Sequence, residues 1–128
     1  MGLKYIAPHN KTEVHWETDG KHYGFNSGID FSRGRAILLD DLGYVVVLHK
    51  KSNKECDYVG VVFSYLGREE FKIPFPEFEY AHNLDIEFLY AGAIENGLKI
   101  TFAPSSGRDF WCFFSFDERV YTTSHEAR

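Results

Sequence analysis

The chain has 128 residues, of which 44% are hydrophobic and 26% charged, and a formal net charge of −5 at pH 7. That length fits one domain with one core, so a single domain over 1–128 is expected. The acid excess weighs against a nucleic-acid partner, because it opposes approach to phosphate. No apolar run reaches the roughly 18–20 residues that span a bilayer.

Twelve Phe, eight Tyr and two Trp give the chain an unusual load of rings. Each buries on the order of 150–250 Å² when folded in, so neither a disulfide nor a metal is required for stability. Two cysteines, Cys56 and Cys112, in a domain with an adequate core point to a reducing compartment. "MGLKYIAPHN" lacks the charged and apolar regions of a secretory signal. The expected location is cytoplasmic.

In chain order, short runs of β-branched and aromatic residues alternate with Gly-bearing turns. "EVHWE" alternates, with Val14 and Trp16 on one face and Glu13, His15 and Glu17 on the other. "TDGK" then carries an Asp-Gly hairpin signal into "HYGF". "RAILLD" and "YVVVLH" flank "DLG", where Gly43 closes a three-residue loop in the left-handed region. The polar loop "KKSNKEC" leads to "DYVGVVFS", and "YLG" with Gly67 turns the chain into "REEFKI", which Pro74 and Pro76 stop. "PEFEYAHN" offers the one helical turn, with Pro76 at its first position.

Further on, "ENG" joins "IEFLYAGA" to "LKITFA", whose Leu98, Ile100 and Phe102 face one way. "DFWCFFSF" is apolar on both faces and reads as a central, doubly covered strand. "RVYTTS" is the last strand. The expected fold is all-β: an antiparallel meander of about eight or nine strands forming a curved half-barrel or sandwich, with at most one short helical turn.

Familiar catalytic patterns are absent. The six histidines form no His-x-His or HExxH pattern, and there is no Cys-x-x-Cys, nucleophile elbow or phosphate loop. His15 and His22 flank one hairpin and can approach each other, but two histidines do not make a full metal site. Cys112, inside "FWCFF", reads as a small buried hydrophobe. Lys50, Lys51 and Lys54 read as a solvated hairpin end. Asp85-x-Glu87 places two carboxylates on one strand face, which with nearby rings resembles a carbohydrate cleft but lacks a partner for acid–base work. No enzyme, cofactor or metal is expected.

The segment 75–97, "FPEFEYAHNLDIEFLYAGAIENG", holds Glu77, Glu79, Asp85, Glu87 and Glu95 and no Lys or Arg. If Ile86, Phe88 and Tyr90 face the core, Asp85 and Glu87 face solvent beside Leu89. Such a run is usually a solvated face. Here it lacks the Lys with which edge strands discourage pairing, and it mixes rings among acids as protein interfaces do. Glu77, Glu79, Tyr80, Asp85 and Glu87 are therefore the candidate partner-binding residues, suited to steering a basic protein.

The block "RAILLDDLGYVVVLHKKSNKECDYVGVVFSYLGREEFKIPFPEFEY" resembles the small cytoplasmic immunity proteins of bacterial polymorphic and contact-dependent growth-inhibition toxin systems. The likeness lies in an aliphatic hairpin, a strand, a Gly turn and a strand ending in Ile-Pro, over about a third of the chain. It carries no functional residue across. It implies a one-to-one inhibitor that occludes a basic toxin domain, a nuclease and by preference an RNase. The alternative is a small-ligand carrier with an aromatic-lined β-barrel cavity; a structural subunit is a third reading.

Overall fold

A computed structural model describes residues 4–6, 13–26, 35–77 and 84–126. The fold is all-β, and the described residues hold eleven strands and no α-helix. The strands form three separate antiparallel sheets, and none closes into a barrel. The chain gathers into two compact units, one from residues 1–49 and 60–72 and the other from 50–59 and 73–128.

In the first unit, β1 (Lys4–Ile6), β2 (Glu13–Thr18) and β3 (Lys21–Asn26) form a sheet in that order. Asp19 and Gly20 both have positive φ, at 52° and 74°. This is the primed turn whose twist matches the flanking strands, as the Asp-Gly pair predicts. Trp16 is fully buried and its indole Nε1 donates to the Tyr65 carbonyl at 2.7 Å. A large ring thereby enters the core with its one polar atom satisfied.

The second sheet has the order β4 (Arg35–Leu39), β5 (Tyr44–Leu48), β6 (Tyr58–Ser64) and β7 (Glu69–Pro74). Gly43 takes φ 71° and Gly67 φ 91°, as their places in the turns require. The loop before Gly43 is one residue longer than the three-residue loop expected: Asp40–Leu42 form a single 3-10 turn, and Leu39 pairs with Tyr44. Val45, Val46, Val47 and Leu48 are all buried, and so are Val61, Val62 and Phe63 on β6. Aliphatic and aromatic side chains on both faces make β5 and β6 the doubly covered strands.

The second unit holds a four-stranded meander in the order β11 (Val120–Glu126), β10 (Phe110–Ser115), β9 (Gly97–Pro104) and β8 (Ile86–Ile94). Leu98, Ile100 and Phe102 are buried as expected, with Phe110, Cys112 and Phe114 beside them. Phe102 stacks on Phe110 with centroids 5.6 Å apart, and Phe114 meets Tyr121 edge-on at 5.1 Å. The Tyr121 hydroxyl donates to the Pro74 carbonyl at 2.5 Å. β10 is central, yet it alternates: Trp111, Phe113 and Ser115 are only half-buried. The expectation of double cover there fails because the face that carries Trp111, Phe113 and Ser115 stays partly open to solvent. Lys99 covers part of that face, with its ammonium 4.5 Å from the centre of the Trp111 ring.

The expected helical turn in "PEFEYAHN" falls mostly on residues 78–83, outside the described residues. No described helix is long and apolar enough to cross a membrane.

Candidate partner-binding cleft

β8 is an edge strand of its sheet, and its register shifts at Leu89, between Phe88 and Tyr90. Before this bulge Ile86 and Phe88 point inward and Glu87 outward; after it Ala91 is buried and Tyr90 is 58% exposed. The extra residue reverses the alternation. Tyr90 therefore stands outside, where strict alternation would have put it in the core. Glu87, Leu89 and Tyr90 form a run of exposed residues.

The loop 50–56 is stitched along the start of this strand. Asn53 makes three bonds to it: its backbone N–H donates to the Ile86 carbonyl at 3.0 Å, its Oδ1 accepts from the Ile86 N–H at 2.8 Å, and its Nδ2 donates to the Leu84 carbonyl at 3.2 Å. Lys50 donates to the carbonyls of Phe88 and Leu89, each at 2.8 Å. Several polar groups that the start of an edge strand would leave open are thus filled from a loop more than thirty residues upstream. Lys50 is half-buried and structural, which corrects its reading as part of a solvated hairpin end.

Between this loop and β9 lies a cleft of about 240 Å³ lined by Ser52, Asp85, Ile86, Glu87, Ala103, Pro104 and Ser105. Asp85 is held by its backbone, since its carbonyl accepts from the Ser105 N–H at 2.7 Å. Its Oδ1 is buried and has no hydrogen-bond partner among the described residues. The Ser52 hydroxyl is in the same position, in a residue only 5% exposed.

The Ser52 hydroxyl is left over for a local reason. "SNKE" has the spacing of a capping box, and Glu55 Oε1 does accept from the Ser52 N–H at 3.2 Å. The reciprocal bond is missing, because the Glu55 N–H goes to the Ser52 carbonyl at 3.0 Å instead. A buried donor or acceptor without a partner costs about 1–3 kcal/mol. Both residues line the cleft, and these two oxygens are shielded from solvent within it.

Of the five candidate residues, Asp85 and Glu87 come together on this cleft. Glu77 is exposed beyond Pro76, and Glu79 and Tyr80 lie outside the described residues. Ser52, Asn53 and Ser105 were not visible as site residues. Nothing local in "KKSNKEC" or "PSSGR" ties those loops to residue 85; the Ser-x-x-Glu spacing of Ser52 and Glu55 signals a local turn and no more.

Elsewhere, both cysteines are free. Burial pushes the Cys112 thiol up to about 12, which makes it a poor nucleophile. Burial, and then the neighbouring Cys112, raises the Tyr121 hydroxyl well above the usual tyrosine range. Among the described residues no three His, Cys, Asp or Glu side chains converge as a metal site. No family model, curated protein or solved structure matches the chain. The functional reading therefore rests on the chemistry of the cleft.

Proposed function

We propose that this is a non-enzymatic binding protein whose Asp85–Glu87 cleft receives a basic group of a protein partner. In this reading it acts as an immunity protein, neutralising a basic, nuclease-type toxin domain by one-to-one occlusion. The observation that carries it is the exposed Glu87 carboxylate on a cleft shared with Asp85 and Ser52, whose solvent-shielded Oδ1 and Oγ have no partner among the described residues. A lysine ammonium or arginine guanidinium supplies several donors and no acceptor, which is the complement of this lining. Exposed Leu89 and Tyr90 next to it offer the apolar contact that interface anchors use.

The small-ligand alternative has less support. The sheets do not close into a barrel, and this cleft is lined by Ser, Asp, Glu, Ile, Ala and Pro with no aromatic side chain. Its volume of about 240 Å³ also falls below the roughly 300–1,000 Å³ of common ligand pockets.

The test is capture from the source lysate on immobilised wild type and on the Asp85→Asn, Glu87→Gln double variant, eluted with rising salt. One basic protein, retained at one-to-one stoichiometry by wild type and lost from the variant, supports the reading. Equal retention by both, or a small molecule alone in the wild-type eluate, overturns it.

A further inference from the structure

The β2–β3 hairpin, remote in sequence from the cleft, carries a second constellation. Its register pairs Glu13 with Asn26, His15 with Gly24 and Glu17 with His22. Alternation puts these six positions on one face while Trp16 goes to the other and is fully buried. The buried indole fixes the rotation of β2, so the direction of the His15 side chain is set by the core.

Gly24 is what lets the two histidines meet. A Cβ there would lie 2.5 Å from His15 Nδ1 and 2.8 Å from its Cε1. The His15 ring therefore lies over the β3 backbone in the space a side chain would fill. There it reaches His22, one diagonal step away, with ring centroids 5.0 Å apart and His15 Nδ1 2.8 Å from His22 Nε2. Facing nitrogens at this distance need one donor and one lone pair, so the free pair shares a single proton, and an ion that displaces this proton can take both lone pairs.

We propose that this hairpin face binds one divalent transition-metal ion, Cu²⁺ in preference to Ni²⁺ or Zn²⁺, through His15 Nδ1 and His22 Nε2. Metal–imidazole bonds are about 2.0–2.1 Å. Two such bonds at a right angle put their nitrogens about 2.9 Å apart, whereas a tetrahedral angle needs about 3.4 Å. The 2.8 Å of the hydrogen-bonded pair shows that the two nitrogens can come as close as a right angle requires, and among the ions that take imidazole pairs the affinity order places copper first.

A carboxylate lies near the back of the His15 ring, beyond hydrogen-bond distance in the free protein. Glu13 Oε1 is 3.9 Å from His15 Nε2, the ring nitrogen not used for the metal. A carboxylate behind a ligating imidazole fixes its tautomer and raises its basicity. Exposed His22 turns to bring its lone pair onto the ion, and water fills the positions the protein leaves. The Glu17 carboxylate, paired across the strands with His22, adds negative charge to the same face.

The experiment is calorimetric titration of the intact protein with Cu²⁺ at pH 7.5, with electron paramagnetic resonance of the one-to-one sample. Wild type and the His22→Gln, His15→Gln and Glu13→Gln variants are compared, each checked for an unchanged circular dichroism spectrum. One site with two coordinated nitrogens is expected. Each His variant should lose at least the roughly 10–100-fold in affinity that removal of an outer-shell partner costs, and Glu13→Gln should fall within that range. A His variant that fails the fold check is replaced by Gly24→Val, which takes the His15 seat and must also lose the site. One-nitrogen spectra in wild type, or affinity in His22→Gln within about twofold of wild type, would overturn the proposal.

Discussion

The Lys50 ammonium lies 2.8 Å from the Phe88 carbonyl and 4.6 Å from the centre of the same residue's ring. One cation thus holds the backbone and the side chain of the residue just before the β8 bulge, and its second bond, to Leu89, holds the bulge itself. The strand has no lysine of its own in this region. It receives one from the loop after β5, so its outward positions remain acidic and aromatic.

Lys50→Met should therefore cost about 1–3 kcal/mol, the range for bonds to a charged group with partners left behind. Urea unfolding read by fluorescence measures this. A loss no larger than that of Lys54→Met, an exposed lysine of the same loop, would show that the cation contributes nothing beyond surface charge.

Ser52→Ala and Asp85→Asn should behave in the opposite way. Each alters a group whose buried oxygen lacks a partner, so the free protein should be as stable as wild type or up to about 1 kcal/mol more stable. Partner capture should weaken in both. A clear loss of stability in either variant would mean the oxygen is satisfied within the fold.

The β8–β9 hairpin separates two glycine effects. Its tight turn is Glu95-Asn96, and Glu95 has φ 43°. Gly97 lies past the turn on β9, where a Cβ would collide with the Phe114 carbonyl oxygen and sit 2.8 Å from the Phe113 ring. Gly97→Ala should cost about 1–3 kcal/mol by overpacking. Glu95→Gly should gain about 0.5–1 kcal/mol, because relief of left-handed backbone strain outweighs the added chain entropy. Thermal unfolding of the two single variants tests the opposite signs.

Alkaline pH should weaken the second unit. The fold holds the Cys112 thiol at about 12 against an ordinary value of 9.0, and it raises Tyr121 as well. Both groups keep their protons more tightly when folded. Their contribution is complete below about pH 9 and is lost as pH rises toward and through 12. Urea midpoints between pH 7 and 11 should fall, and less steeply in Cys112→Ala and in Tyr121→Phe. Parallel curves for all three proteins would remove these groups from the explanation.

Much of the fold was legible. The turns at Gly20, Gly43 and Gly67 and the buried set Leu98, Ile100 and Phe102 follow from local chemistry that a few residues express. What was not legible depends on a long reach or on a one-residue slip. The bulge at Leu89 has no residue signature, and it alone moves Tyr90 from the core to the surface. "ENG" marked the right hairpin for the wrong reason, since Gly97 is needed for close approach to β10 and not for the turn. Strand alternation put Asp85 and Glu87 on one face. Ser52, which completes their cleft, comes from 33 positions upstream of Asp85, a pairing no periodicity reports.

The division of the chain has a consequence for how the molecule can be taken apart. The first unit uses residues 1–49 and 60–72, and the second uses 50–59 and 73–128. Neither is one contiguous piece, so no single cut releases either of them whole. Residues 50–59, which carry Lys50, Ser52 and Asn53 to β8, are spliced at both ends into strands of the other sheet. A truncation starting at residue 73 would keep Asp85 and Glu87 yet lose the ten residues that complete their site. A chain in which 50–59 is joined directly to 73–128 would carry all of the second unit's residues.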